Sequence, residues 1–119
     1  MRIQKAAVLF VLISLLVSCA GFRISGAKSE FQEGLSLFNR GQYEAAIPHF
    51  QKATELDPDL GQAYLYLGRS YLSLRRWSQA ITPLRTALRL SPEETRREIS
   101  NLLIDALLGA AEPVLPKER

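Results

Sequence analysis

Few side chains in this 119-residue chain are of types that perform chemistry. The single histidine, His49, has no serine or cysteine at a spacing that would make it a general base, so it reads as a structural or surface residue. One cysteine, Cys19, excludes both an intramolecular disulfide and a cysteine-rich zinc site. The acidic pairs Asp57/Asp59 and Glu93/Glu94 adjoin Pro58 and Pro92, at junctions where carboxylates favour helix amino termini rather than glycoside hydrolysis. The chain has no phosphate-cradling Gly-rich loop, no HExxH and no CxxC. This pattern assigns no catalytic residue, metal ligand or cofactor and excludes an enzyme. Binding remains as the function to be positioned.

The elements that position it begin with the amino terminus. Arg2 and Lys5 precede Ala6 to Val17, a run broken only by Ser14. As a helix this run spans roughly 18 Å, well short of the ~30 Å hydrocarbon core. A charged start, a short apolar stretch and small residues at its end describe a secretory signal peptide over residues 1–18. The formal charge is +3, but removal of Arg2 and Lys5 with the leader leaves thirteen basic against twelve acidic residues, so basicity is no argument for nucleic acid. Leu16-Val17-Ser18-Cys19 resembles the lipobox of bacterial lipoproteins. The resemblance implies cleavage before Cys19, a lipid anchor on that residue and attachment to a membrane of the cell envelope. By the same resemblance, Ala20 after the cysteine implies the outer membrane, facing the periplasm. Residues 19–27 would then form the lipidated amino terminus and tether, of which residues 20–27 reach at most about 28 Å if extended. A non-lipidated cysteine near an ordinary cleavage site and an uncleaved signal anchor are the alternatives.

A 34-residue shift aligns the rest of the chain with itself: Gly34 falls on Gly68, Ala46 on Ala80, Ile47 on Ile81, Ala53 on Ala87, Leu56 on Leu90 and Pro58 on Pro92. Tyr43 falls on Trp77 and Phe50 on Leu84, matching bulk rather than identity. That period marks a helix-turn-helix array. Gly41-Gln42-Tyr43-Glu44-Ala45-Ala46-Ile47, with Phe50, Ala53, Leu56, Asp57 and Pro58, resembles the second helix of the tetratricopeptide repeat family. Tyr64, Leu67, Gly68 and Tyr71 resemble the first helix of the next copy. The expected fold is therefore all-α: a short α-solenoid of two repeats, about 27–60 and 61–94, closed by a capping helix at about 92–109. The whole domain would cover 28–110, and 111–119 would be a flexible tail. Helices are expected near 28–40, 43–57, 61–74 and 77–90, with Ser91 capping the fifth, Pro92 at its first position and Glu94 three residues after the cap.

Several residues depart from the family pattern. Glu30 and Glu33 replace apolar residues and predict a weakly docked first helix. Arg75 stands where the first copy has Gly41, a position at which a left-handed backbone costs about 1–2 kcal/mol. Pro48 and Pro83 fall inside second helices and predict a bend or a lost hydrogen bond. Two repeats are also fewer than the three that usually make a stable array.

The family resemblance implies a concave surface lined by the first helix of each repeat. On this chain that surface takes Phe31, Leu35, Phe38 and Asn39, then Gln62, Leu65, Arg69 and Leu72, then Arg96, Ile99 and Leu103. The candidate groove is Phe31, Leu35, Phe38, Leu65, Arg69, Leu72 and Arg96. These residues either fill the groove as core or leave it open to a partner segment. The family's clamp for a terminal carboxylate is not reproduced, since Phe31, Leu35 and Tyr66 occupy its positions, so an apolar segment of another envelope protein fits better. Charge is segregated: residues 27–60 hold three basic and six acidic side chains, whereas 61–97 hold seven basic and two acidic. The expected protein is a lipid-anchored scaffold that docks another envelope protein or peptide. The alternative is a homo-oligomeric structural subunit whose groove, with Ile104 and Leu108, forms the subunit contact.

Overall fold

The computed structural model describes residues 2–112, apart from the side chains of Arg2 and residues 17–20. Five helices follow one another: α1 (Arg2–Asn39), α2 (Tyr43–Leu56), α3 (Gly61–Ser73), α4 (Trp77–Leu90) and α5 (Glu93–Ala111). Each packs antiparallel on the next, and no strand occurs among the described residues. This is the expected two-repeat solenoid with its terminal helix.

Glycines set the closeness of each helix pair. A Cβ on Gly34 would lie 2.8 Å from Phe50 Cε1, and one on Gly68 would lie 2.5 Å from Leu84 Cγ. Phe50 and Leu84 are fully buried, with Ala46, Ala53, Ala80 and Ala87 around them. Small residues thus admit the partner helix, and a large residue fills the space beside each one. The core continues through Phe31, Ile47, Ala63, Leu67 and Tyr71 and ends on Ala106 of α5.

The turns after α1 and α3 share one geometry. The Gln42 amide donates to Leu37 O at 2.9 Å and the Gly41 amide to Phe38 O at 2.9 Å. In the second copy the Arg76 amide donates to Tyr71 O at 2.9 Å and the Arg75 amide to Leu72 O at 3.0 Å. Both are Schellman motifs, which need a left-handed residue just past the helix. Gly41 supplies it with φ 76° and Arg75 with φ 56°, so the strain expected at Arg75 is present.

Other expectations change. α1 starts at Arg2 rather than near residue 28, because nothing before Gly41 terminates it; Gly21 and Gly26 weaken a helix without ending it. Residues 20–27 are therefore helical, about 12 Å long, not an extended tether. The first helix is firmly docked: Phe31 and Ala27 are buried, Glu30 pairs with His49, and Glu33 is exposed. α2 and α4 run unbroken through Pro48 and Pro83. Ser91 does not cap α5, whose N-cap is Pro92. Its hydroxyl instead donates to Ala87 O at 2.6 Å, occupying a carbonyl in the last turn of α4. α5 includes Ala111, and the tail at 113–119 lies outside the described residues.

Two substitutions test this account by chemical denaturation. Arg75→Gly should stabilise the protein by about 0.5–1 kcal/mol, the relieved strain less the added freedom of the unfolded chain. Gly68→Ala should destabilise it by about 1–3 kcal/mol, because Leu84 must leave its position.

Candidate functional site

The candidate groove is built on an aromatic cluster that joins α1, α2 and α3. Tyr66 of α3 lies edge-on to Phe38 at a centroid distance of 5.2 Å and to Phe31 at 5.8 Å, both on α1. Phe50 of α2 approaches Phe31 and Tyr66 at 5.8 Å each. Phe38 also meets Tyr43, at 5.0 Å, just past the Gly41 turn. These tilted and edge-to-face geometries are the favoured ones, and each pair adds about 0.5–1.5 kcal/mol beyond its buried area.

The cluster determines which groove residues remain open. Phe31 is buried and belongs to the core. Leu35, Phe38, Leu65 and Leu72 are half-buried, packed against the core on one side. Leu65 borders a small recess with Leu90 and Pro92, whereas Leu72 borders an apolar cleft with Trp77, Leu102 and Leu108. Ile99 is fully buried and Leu103 half-buried. Arg69 lies over the Tyr66 ring at 5.3 Å and forms an ion pair with Glu98 of α5. Arg96 is separate from this group: it lines a cleft between α4 and α5 with Arg85 and Arg89 and pairs with Glu93. Of the candidate groove, Leu35, Phe38, Leu65, Arg69 and Leu72 therefore remain partly exposed. These residues serve the core with one side and face outward with the other.

Tyr66 is the contact that the spacing did not single out as packing. It lies between Tyr64 and Leu67, which carry the family resemblance, and its role depends on α1, which is 28 residues earlier at Phe38. The signal available was the aromatic composition of three helices, in Phe31, Phe38, Phe50 and Tyr66.

The remaining polar groups have structural partners. His49 Nδ1 lies 2.8 Å from Glu30 Oε2, joining α2 to α1. Asp57 Oδ1 accepts from the Asp59 amide at 3.1 Å, which shapes the α2–α3 turn. Arg76 pairs with Glu44 at 3.0 Å, tying the start of α4 to the start of α2. These pairs are largely solvent-exposed and add little stability singly. Among the described residues no three His, Cys, Asp or Glu side chains group as a metal site.

Antiparallel helix pairs stacked at a 34-residue period define the class as a helical-repeat solenoid. The tetratricopeptide repeat family model matches residues 31–95, just over half of the chain, so the chain belongs to the tetratricopeptide repeat family. No curated protein matches it. Repeats of this family make the chain a protein–protein interaction scaffold in general terms.

The aromatic cluster yields a prediction. Tyr66→Ala should cost about 2–3 kcal/mol of stability in urea titration, somewhat below the cost for a fully buried ring. Tyr66→Phe should change stability by less than about 0.5 kcal/mol, because its hydroxyl has no hydrogen-bond partner among the described residues.

Proposed function

We propose that this protein is a lipid-anchored scaffold of the bacterial cell envelope, which holds an apolar segment of another envelope protein against α1 and α3. The observation that carries the reading is the uncovered first half of α1. Ile3, Phe10 and Leu16 are 85%, 76% and 72% exposed, and apolar residues occur on all sides of the helix. The whole helix from Ile3 to Asn39 is long and apolar enough to cross a membrane by length and composition, a test that a signal sequence also passes. No other element covers the first half of α1 among the described residues, so its apolar surface requires an external environment such as a bilayer or the export machinery.

The lipobox-like Leu16-Val17-Ser18-Cys19 supports processing over a permanent span. The Cys19 side chain lies outside the described side chains, so its acylation rests on the sequence. Two or three acyl chains there would hold the domain stably, at ~0.8 kcal/mol per buried methylene. Ala20 supports the periplasmic face of the outer membrane. The half-buried strip over Leu35, Leu65 and Leu72 favours an apolar segment over an acidic tail. The second reading, a self-associating subunit, is favoured by Ile104 and Leu108 on α5, which are 51% and 64% exposed.

Cys19→Ser should abolish incorporation of labelled palmitate in intact cells, and undiminished labelling would remove the anchor. Leu65→Gln with Leu72→Gln should abolish crosslinking to the partner while costing about 1–2 kcal/mol each, since both leucines are half-buried. Sedimentation in detergent separates the two readings: a strict monomer opposes the self-associating subunit.

A further inference from the structure

The antiparallel course of the helices determines which charged groups share an end of the array. α1, α3 and α5 run one way, α2 and α4 the other. A Cβ on Gly26 would meet Leu56 Cδ1 at 3.4 Å, and one on Gly61 would meet Leu90 Cβ at 3.2 Å. Gly26, the end of α2, the start of α3, the end of α4 and the start of α5 thus lie at one end. The apolar half of α1 leaves the array from that same end.

There α4 and α5 enclose an open cleft of about 900 Å³, lined by Arg85, Arg89, Arg96 and Arg97 together with Glu93 and Glu94. Glu93 pairs with Arg96 at 3.0 Å. Among the described residues, Arg85, Arg89 and Arg97 have no carboxylate within 4.0 Å. All three are exposed. Three unpaired guanidinium groups around one cleft suit phosphate oxygens, which arginine takes in pairs. The α2–α3 turn at the same end holds Asp57 and Asp59 instead. This end is therefore polarised, acidic beneath the first repeat and basic beneath the second.

We infer that the arginine cleft is a second membrane contact, which binds headgroup phosphates of anionic lipid and tips the α4–α5 edge toward the bilayer. The inference rests on the reading that acylated Cys19 holds α1 at a bilayer. The seven helical steps from Cys19 to Gly26 raise the array by only about 11 Å. Arg96 and Arg97 stand about 4–6 Å farther along α5 from Glu93, and their long side chains reach back over much of that height. The Debye length at physiological salt is about 8 Å, so the cleft remains within the field of an anionic surface. An acidic peptide would meet the same arginines. The location of the cleft, at the end from which α1 departs, favours lipid.

The test uses the processed, acylated chain beginning at Cys19, reconstituted in vesicles of phosphatidylcholine alone or mixed with phosphatidylglycerol. Hydrogen exchange is read at the last turn of α4 and the first turn of α5, and flotation reads attachment. Exchange should slow several-fold in the mixed vesicles, and the effect should vanish at about 1 M salt, where the Debye length is about 3 Å. Arg85→Gln, Arg89→Gln and Arg97→Gln should each lower the protection by roughly fivefold, and Glu94→Gln should raise it. Circular dichroism should report unchanged helix content, since these side chains are exposed. Equal exchange in both lipids, with the chain still floating, overturns the inference and leaves the anchor intact. A chain that floats with neither lipid overturns the anchor and the inference with it. Protection by a glutamate-rich peptide but not by the mixed vesicles also overturns it, assigning the cleft to an acidic protein.

Discussion

The rest of the structure depends on one steric constraint: a helix can lie close against its partner only where a glycine faces the partner's largest side chain. Gly34 beneath Phe50 and Gly68 beneath Leu84 leave no room for a methyl group. Closeness there brings the alanines of α2 and α4 into contact, and that contact completes a core of side chains with little or no exposure. The third copy of the position is Leu102. Leu102 packs half-buried against the core and borders the cleft with Leu72, Trp77 and Leu108.

Gly109 applies the same constraint to a different neighbour. A Cβ there would lie 2.4 Å from Trp77 Cδ2, so the indole sits directly on the α5 backbone. In the period, Gly109 corresponds to Gly41 and Arg75. Those two end their helices in left-handed turns, whereas α5 continues through Gly109 to Ala111. The same register position therefore takes a left-handed backbone twice, once in a glycine and once under strain in an arginine, and gives side-chain clearance once. Residue type alone does not distinguish these uses; the chain after the glycine does.

The fold was legible because its determinants are local and periodic. The small-and-large alternation, the turn residues and the end of α4 all recur at a fixed separation, so each copy checks the other. The strain at Arg75 was readable for the same reason. The site was less legible, because its contacts depend on which side of a helix meets a non-neighbouring one. Tyr66 reaches α1, and Arg96 faces α4 rather than joining Leu65 and Leu72. Both depend on helix rotation, which a 34-residue period does not specify. Ser91 has the right type and place for a cap, but its hydroxyl satisfies the carbonyl behind it instead of the amides ahead. The continuity of α1 was missed because a processing signal implies a boundary in the covalent chain, not a break in the helix.

That continuity has a mechanical consequence. An extended tether would let the array rotate freely, and the charge polarity of its near end would average out. A helical stalk fixes the direction in which the array leaves its anchor, so a difference between acidic and basic edges becomes a torque. Gly21 and Gly26 limit this stiffness. Neither is demanded by space: a Cβ on Gly21 would meet nothing within 4 Å, and one on Gly26 would make an ordinary contact at 3.4 Å. Each costs the helix about 1 kcal/mol relative to alanine. The stalk is thus the least supported part of α1, lying between the segment that requires an apolar environment and the segment held by the core. If Cys19 is held at a bilayer as proposed, the orientation of the candidate groove is set where these two effects meet: the bending of a glycine-weakened helix against the pull of the arginine edge.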